Sequence, residues 1–173
     1  KNGTGYYSWS GLRYFLYEYE TSLLEESRQK KVHWSDLLNS DKDKISIEHI
    51  YPQTETVEWA EHFKEIAPDR RGLYSGTLGN LLLLSMSINS SLQNDSFIDK
   101  KFVKLNTKGD KIRNGYSDGS HSEIEVSNNP NWGPIEIRDR GIRLLGFMEK
   151  RWGFNFRISE KEDLLFLPLL KRN

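Results

Sequence analysis

The sequence predicts a mainly helical α+β fold, and three observations support this. Two short extended stretches, Ile45-Ser-Ile47 and Leu81 to Leu84, lie among longer segments whose apolar residues recur at helical spacing. The chain has 173 residues, the size of one domain with room for a substantial core. Its composition, 36% apolar and 12% aromatic with 29% charged residues, is that of a folded protein.

Residues 8–27 place Leu12, Phe15, Leu16, Tyr19 and Leu23 at helical spacing, with Ser8 or Ser10 as N-cap. Arg13, Glu18, Glu25 and Glu26 fall on the opposite, solvated face. From Lys30 to Lys44 the chain is polar, with Trp34 and Leu37-Leu38 expected to touch the core and Asn39 to Asp43 to turn. Ile45-Ser-Ile47 alternates like a half-buried strand and runs into Glu48-His49. Tyr51-Pro52 should end that strand, because a residue before proline is held extended and proline has no N–H to donate.

Trp59, Phe63 and Ile66 predict a short helix over 57–66, stopped by Pro68 and Arg70-Arg-Gly72. Leu81 to Leu84 reads as a strand buried on both faces or a short buried helix. As a strand it pairs with Ile45 to Ile47, and a two-stranded ribbon needs helices to cover it. Leu92, Phe97, Ile98, Phe102 and Leu105 predict one helix, or two, from Asn89 to Leu105. Lys100, Lys101, Lys104, Lys108, Lys111 and Arg113, opposed by Asp110, then form a basic helical stretch.

Gly115 to Pro130 is rich in Gly, Ser and Asn and predicts a long exposed loop. Ile135, Ile137, Leu144, Leu145, Met148 and Trp152 predict a closing helix with Pro134 near its first turn and Gly153 at its end. Arg138, Arg140, Arg143, Lys150 and Arg151 decorate it, and Leu164 to Leu170 forms an apolar tail. The expected organisation is one domain over 1–173: a helical segment over 1–40, a core over 41–108, and a C-terminal loop and helix over 109–173. Because the first residue is Lys1, the chain is expected to be a fragment of a longer polypeptide.

With no cysteine, disulfides, thiolate nucleophiles and cysteine-held zinc are excluded, which fits a reducing, cytoplasmic setting. A formal net charge of zero excludes a uniformly basic nucleic-acid binder but allows a local basic face. No run approaches the roughly 18 apolar residues of a membrane span, and no leader resembles a signal peptide.

The chemistry gathers in Ser46 to Gln53 and Leu78 to Asn89, where an imidazole, a carboxylate and two amides suggest a metal-assisted hydrolytic site. Histidine has an ordinary pKa of about 6.5, so neutral His49 can take a proton from water. Magnesium prefers hard oxygen donors and uses one or two protein ligands, a demand that Glu48 and the Asn89 side-chain oxygen would meet. Asn80 can hydrogen-bond across its loop and hold His49 in place. Lys100 or Lys101 can touch a phosphate, and the basic stretch that includes Lys104 can follow a nucleic-acid backbone.

Plainer roles stay open for the same residues. His49 can be a packed core histidine, Glu48 a salt-bridge partner, Asn80 a turn residue and Asn89 a helix N-cap. The basic stretch can be a solvated helix face. His33, His62 and His121 lack metal-ligand spacing, and Tyr6, Tyr7 and Trp9 read as core or interface aromatics.

Glu48-His-Ile-Tyr-Pro52, Leu78-Gly-Asn-Leu81 and Asn89, in that order, resemble the His-Me finger (HNH) nucleases. With Asn94, Phe97, Lys100, Trp132, Ile137, Arg138 and Arg151-Trp152, the set is similar to the C-terminal nuclease domain of GmrSD-type restriction enzymes. The resemblance covers about residues 45 to 152 and implies a ββα-metal core embedded in helices. It implies His49 as general base, Asn80 as the loop-fixing amide beside it, and Glu48 and Asn89 as ligands for magnesium or manganese. It further implies a DNA endonuclease or nickase of bacterial anti-phage defence, related to phosphorothioate-linked systems, acting on phage or modified DNA. An N-terminal nucleotide-hydrolysing domain in the same polypeptide is the implied partner. Many HNH nucleases carry aspartate before the histidine and a further histidine on the helix, where this chain has Glu48 and Asn89. The rival readings are a DNA-binding or protein-interaction module that keeps the scaffold without catalysis, and an RNase of the same fold.

Overall fold

The structure, a computed structural model, describes residues 5–27 and 45–165. Trp34, Leu37-Leu38, the turn at Asn39 to Asp43, His33 and the tail after Leu165 lie outside the described residues. A 3-10 turn at Gly5–Ser8 precedes α1 (Leu12–Ser27). The strand β1 (Ile45–His49), helices α2 (Val57–His62) and α3 (Pro68–Ser75), a 3-10 turn at Leu78–Asn80 and strand β2 (Leu81–Ser85) follow. Then come α4 (Met86–Leu92), α5 (Phe97–Lys101), β3 (Lys104–Leu105), β4 (Lys111–Arg113) and a 3-10 turn at Tyr116–Asp118. Helices α6 (His121–Ser127), α7 (Pro134–Trp152) and α8 (Ile158–Leu164) complete the described chain. β1 pairs with β2 and β3 with β4, so the mainly helical α+β class is the one observed.

Local chemistry explains most boundaries. Thr56 caps α2 by accepting the Trp59 N–H, and Ser85 caps α4 by accepting that of Ile88. Helix α4 therefore begins at Met86, and Asn89 lies inside it, not at its N-cap. Pro68 does more than stop the preceding helix: it opens α3 as its first residue, where its missing N–H costs nothing. Gly153, at φ 73°, ends α7 in left-handed geometry.

Two expected elements differ. The basic stretch is not one helix: α5 stops at Lys101, and β3 and β4 form an antiparallel hairpin. Its turn is set by Asn106, whose side-chain oxygen accepts the Lys108 and Asp110 N–H groups, and by Gly109 at φ 85°. The expected loop at Gly115 to Pro130 instead contains the wholly buried Tyr116 and α6. There Ser120 and Glu123 form a reciprocal capping box, and Glu20 of α1 accepts the N–H groups of His121 and Ser122 and the Ser122 hydroxyl. Those polar anchors start a helix that hydrophobic periodicity cannot signal.

The chain forms two compact units, each drawn from separated stretches. The first covers Lys1–Ser10, His49–Leu81 and Trp132–Asn173. In it Tyr51 stacks on Phe63 at 4.0 Å and meets Trp59 edge-on at 5.7 Å, while Leu78, Trp132, Ile137, Leu144 and Leu145 are buried. Helix α7 packs on the Leu78–Asn80 turn so closely that a Cβ on Gly79 would lie 1.9 Å from the Ile137 carbonyl oxygen. Arg140, expected on the outer face of α7, is buried instead and donates to the carbonyls of Gly79 and Leu81 at 2.9 and 2.8 Å. Its guanidinium serves two backbone acceptors at the entry to β2.

The second unit covers Gly11–Glu48 and Leu82–Asn131. Leu12, Phe15, Leu16 and Tyr19 of α1 are buried in it, with Leu92, Phe97, Tyr116 and Val126. Burial raises the Glu123 carboxyl to about pKa 7 against the hydrogen bonds from Ser120, which lower it; the charges of Glu20 and Glu48 add to the rise. The folded state thus binds the Glu123 proton more tightly than the unfolded chain, whose value is 4.5. Stability from this group is greatest at low pH and falls as pH rises from 4.5 through about 7.

Two outcomes follow for stability. In urea denaturation, Gly79→Ala should lose about 3 kcal/mol or more, whereas Gly146→Ala, in open space on α7, should gain about 0.5 kcal/mol. Glu123→Gln should flatten the decline between about pH 5 and about pH 8, on the order of 2–3 kcal/mol, measured against the parent. An unchanged pH slope would show that Glu123 is not its source.

Candidate active site

In the first unit the site is built on Asn80, which is wholly buried at the end of the Leu78–Asn80 turn. Its Oδ1 accepts the Tyr51 N–H at 2.8 Å and the Trp132 indole N–H at 3.2 Å. Its Nδ2 donates to the carbonyls of Tyr51 at 2.8 Å and Ser75 at 3.0 Å. An amide has two donors and two acceptor positions, and here all are used. The Ile50 N–H also reaches the Asn80 carbonyl at 3.1 Å, so the backbone immediately after His49 is held at two successive residues.

His49 ends β1 and is half-buried. Its ring lies against Tyr7 at 4.5 Å between centroids, tilted by 43°, and Tyr7 is 44% exposed. Tyr7 is thus an aromatic wall for the imidazole. Its separation from His49 along the chain left no sequence signal for that contact. Further along, Tyr51 donates its hydroxyl to Glu55, which also pairs with Arg71, and burial with that carboxylate raises the Tyr51 pKa.

In the second unit Glu48 is 4% exposed. Its Oε1 accepts Lys100 Nζ at 2.6 Å and the Tyr116 hydroxyl at 3.0 Å. Burial, then the charge of Glu48, pushes the Tyr116 hydroxyl well above its usual pKa, so it remains a donor. Lys100, expected on a solvated basic face touching phosphate, is 0% exposed. An ammonium buried on a carboxylate cannot lie along a nucleic-acid backbone, and the buried charge of Glu48 is the reason it turns inward. Lys101 is half-buried and donates to the Asn129 carbonyl at 3.0 Å, while Lys104 is exposed and pairs with Asp95 at 2.9 Å.

Asn89, half-buried on α4, donates Nδ2 to Ser46 Oγ at 2.8 Å and to the Ile47 carbonyl at 3.1 Å. These bonds tie α4 to β1 and leave the amide oxygen as its unspent acceptor. Among the described residues no group of three or more His, Cys, Asp or Glu side chains could hold a metal. The hard-oxygen donors that this unit offers are the carboxylate of Glu48 and the amide oxygen of Asn89. That chemistry fits a cation that keeps most of its waters. Tyr116, missed in the sequence within a Gly- and Ser-rich stretch, completes the surroundings of Glu48.

Lys100→Met should lower unfolding free energy by about 3–5 kcal/mol, because it strands a buried carboxylate. Urea denaturation checks this; a loss below about 1 kcal/mol, the scale of an exposed pair, would contradict the burial.

No helix among the described residues is long and apolar enough to cross a membrane. No curated protein and no solved structure matches the chain. The family described as GmrSD restriction endonucleases, C-terminal domain, matches residues 1–147, the stretch that holds His49, Asn80, Glu48, Asn89 and their partners. The chain therefore belongs to the C-terminal domain family of the GmrSD restriction endonucleases.

Proposed function

We propose that the chain is a metal-dependent DNA endonuclease domain of the HNH (His-Me finger) type, with His49 as its general base. The observation that carries this is His49 at the end of β1, half-buried beside Tyr7, with the next two residues clamped to Asn80. A neutral imidazole takes a proton from water as the water oxygen bonds to phosphorus and the bond to the 3′ oxygen breaks. Asn80 touches no substrate in this reading; it positions the base. The order β1, β2, α4, with Glu48 and His49 on the first and Asn89 on the last, supports a ββα-metal core.

Magnesium or manganese held through Glu48 and Asn89 oxygens would supply neutralisation of charge on the phosphoryl and departing oxygens. Lys100 and the Tyr116 hydroxyl orient Glu48 by occupying one of its oxygens. Phosphate contact falls to Lys101 and Lys104, and Lys100 is reassigned from DNA to Glu48. The setting is bacterial defence in the cytoplasm, acting on phage or modified DNA, with nicking as the simplest product. An N-terminal nucleotide-hydrolysing domain of the same polypeptide would govern it.

A second reading, a DNA- or protein-binding module without catalysis, is favoured by one observation: Lys100 already neutralises Glu48. Plasmid nicking separates the two. Supercoiled plasmid should be nicked with magnesium or manganese and stay intact in EDTA. His49→Ala should slow nicking by roughly 100-fold or more while its urea midpoint stays near the parent's. Intact plasmid with every metal, or a His49→Ala protein as active as the parent, would move the chain to the binding-module reading.

A further inference from the structure

The end of α7 and the segment after it, beyond the residues that the family match covers, carry an aromatic and cationic surface that the proposed chemistry does not use. Arg143 to Arg157 holds Arg143, Lys150, Arg151 and Arg157 in a chain of zero net charge; Glu149 is the one acid within the stretch, and Arg157 pairs with Glu160 at 2.6 Å, so the surface charge rests on Lys150 and Arg151. Glu149 is itself committed: its carboxylate accepts the Phe156 N–H at 2.7 Å and Lys161 Nζ at 2.5 Å. Burdened in this way, it pins the segment after α7 and cancels little of the neighbouring positive charge.

The rings on this segment are presented in order. Gly153, in left-handed geometry, turns the chain out of the helix. Trp152 is 39% exposed and has the Arg151 guanidinium 5.9 Å from its ring, with Phe147 edge-on at 5.8 Å behind it. Phe154 is 52% exposed and stacks on Phe156 at 5.6 Å with 15° between planes, so Phe156 backs one face of Phe154. Singly exposed aromatics are ordinary on protein surfaces. Two exposed rings on a pinned turn, each backed by another ring, with Lys150 and Arg151 just before them in the chain, are a stacking platform with a polyanion-attracting rim.

We infer that Trp152 and Phe154, with Lys150 and Arg151, form a binding surface for an unpaired DNA strand. A duplex buries its base faces in its own stack, so rings that stack on bases select a strand whose bases are unpaired. The cations then follow its phosphates. The inference takes the identity of the polyanion as DNA from the nuclease reading; the surface itself stands on its rings and charges.

The test is fluorescence anisotropy of a labelled single-stranded oligonucleotide of about 16 nucleotides, in EDTA so that cleavage plays no part. Trp152→Ala and Phe154→Ala should each weaken binding roughly 5- to 100-fold, and Trp152→Phe should retain most of it. Lys150→Gln with Arg151→Gln should reduce the slope of log K against log salt by about 0.7 for each cation removed. Circular dichroism should show both ring variants folded, since the two rings are exposed.

Parent-like binding by the folded ring variants overturns the inference, as does a parent protein that binds no single strand. A surface that joins copies of the chain would appear in sedimentation as self-association lost in Trp152→Ala with DNA binding unchanged, and that also overturns it. The plasmid assay with His49→Ala reads the nuclease assignment separately: nicking that depends on His49, together with ring variants that bind normally, removes this surface and leaves that assignment standing.

Discussion

The first unit depends on the Asn80 side chain. A buried primary amide is costly unless every donor and acceptor is met, and Asn80 meets all of its own by closing Tyr51, Ser75 and Trp132 onto one point. Three separated pieces of chain therefore depend on one another: the turn after His49, the end of α3, and the approach to α7. Arg140 and Gly79 extend the arrangement, one by satisfying carbonyls on either side of Asn80, the other by letting α7 come close. The half-buried imidazole gains its fixed backbone from this framework.

The second unit solves a different problem, that of carboxylates placed away from water. Glu48 is met by an ammonium and a phenol, and Glu20 by two backbone N–H groups and a hydroxyl. Glu123 has the Ser120 N–H on its carboxylate, but its burial, with the charges of Glu20 and Glu48 added, outweighs that bond and holds its proton to near neutral pH.

These arrangements also separate roles that similar side chains might have shared. Of the lysines from the end of α5 into β3, Lys100 serves Glu48 and Lys101 serves a backbone carbonyl, while Lys104 alone of the three is exposed. The arginines of α7 divide likewise, with Arg140 buried on the Leu78–Asn80 turn and Arg151 beside an exposed tryptophan. Positive charge near a functional stretch is thus poor evidence of contact with a polyanion until burial is known.

Sequence by itself determined the features set by near neighbours. Apolar spacing places α1 and α7, Tyr51-Pro52 ends β1, Pro134 and Gly153 bound α7, and the run Leu81 to Leu84 supplies the strand opposite Ile45. The order of Glu48, His49, Asn80 and Asn89 identified the family, because those residues sit in short local motifs. Tertiary structure alone decided which of the polar residues face inward. Nothing near Lys100 in the chain marks it for Glu48, nothing near Tyr7 marks it for His49, and the Gly115 to Pro130 stretch looks solvent-exposed until Glu20 anchors its helix. The reason is that a polar side chain is buried only if its partner arrives from elsewhere in the fold, and that partner leaves no periodic trace in the sequence around it.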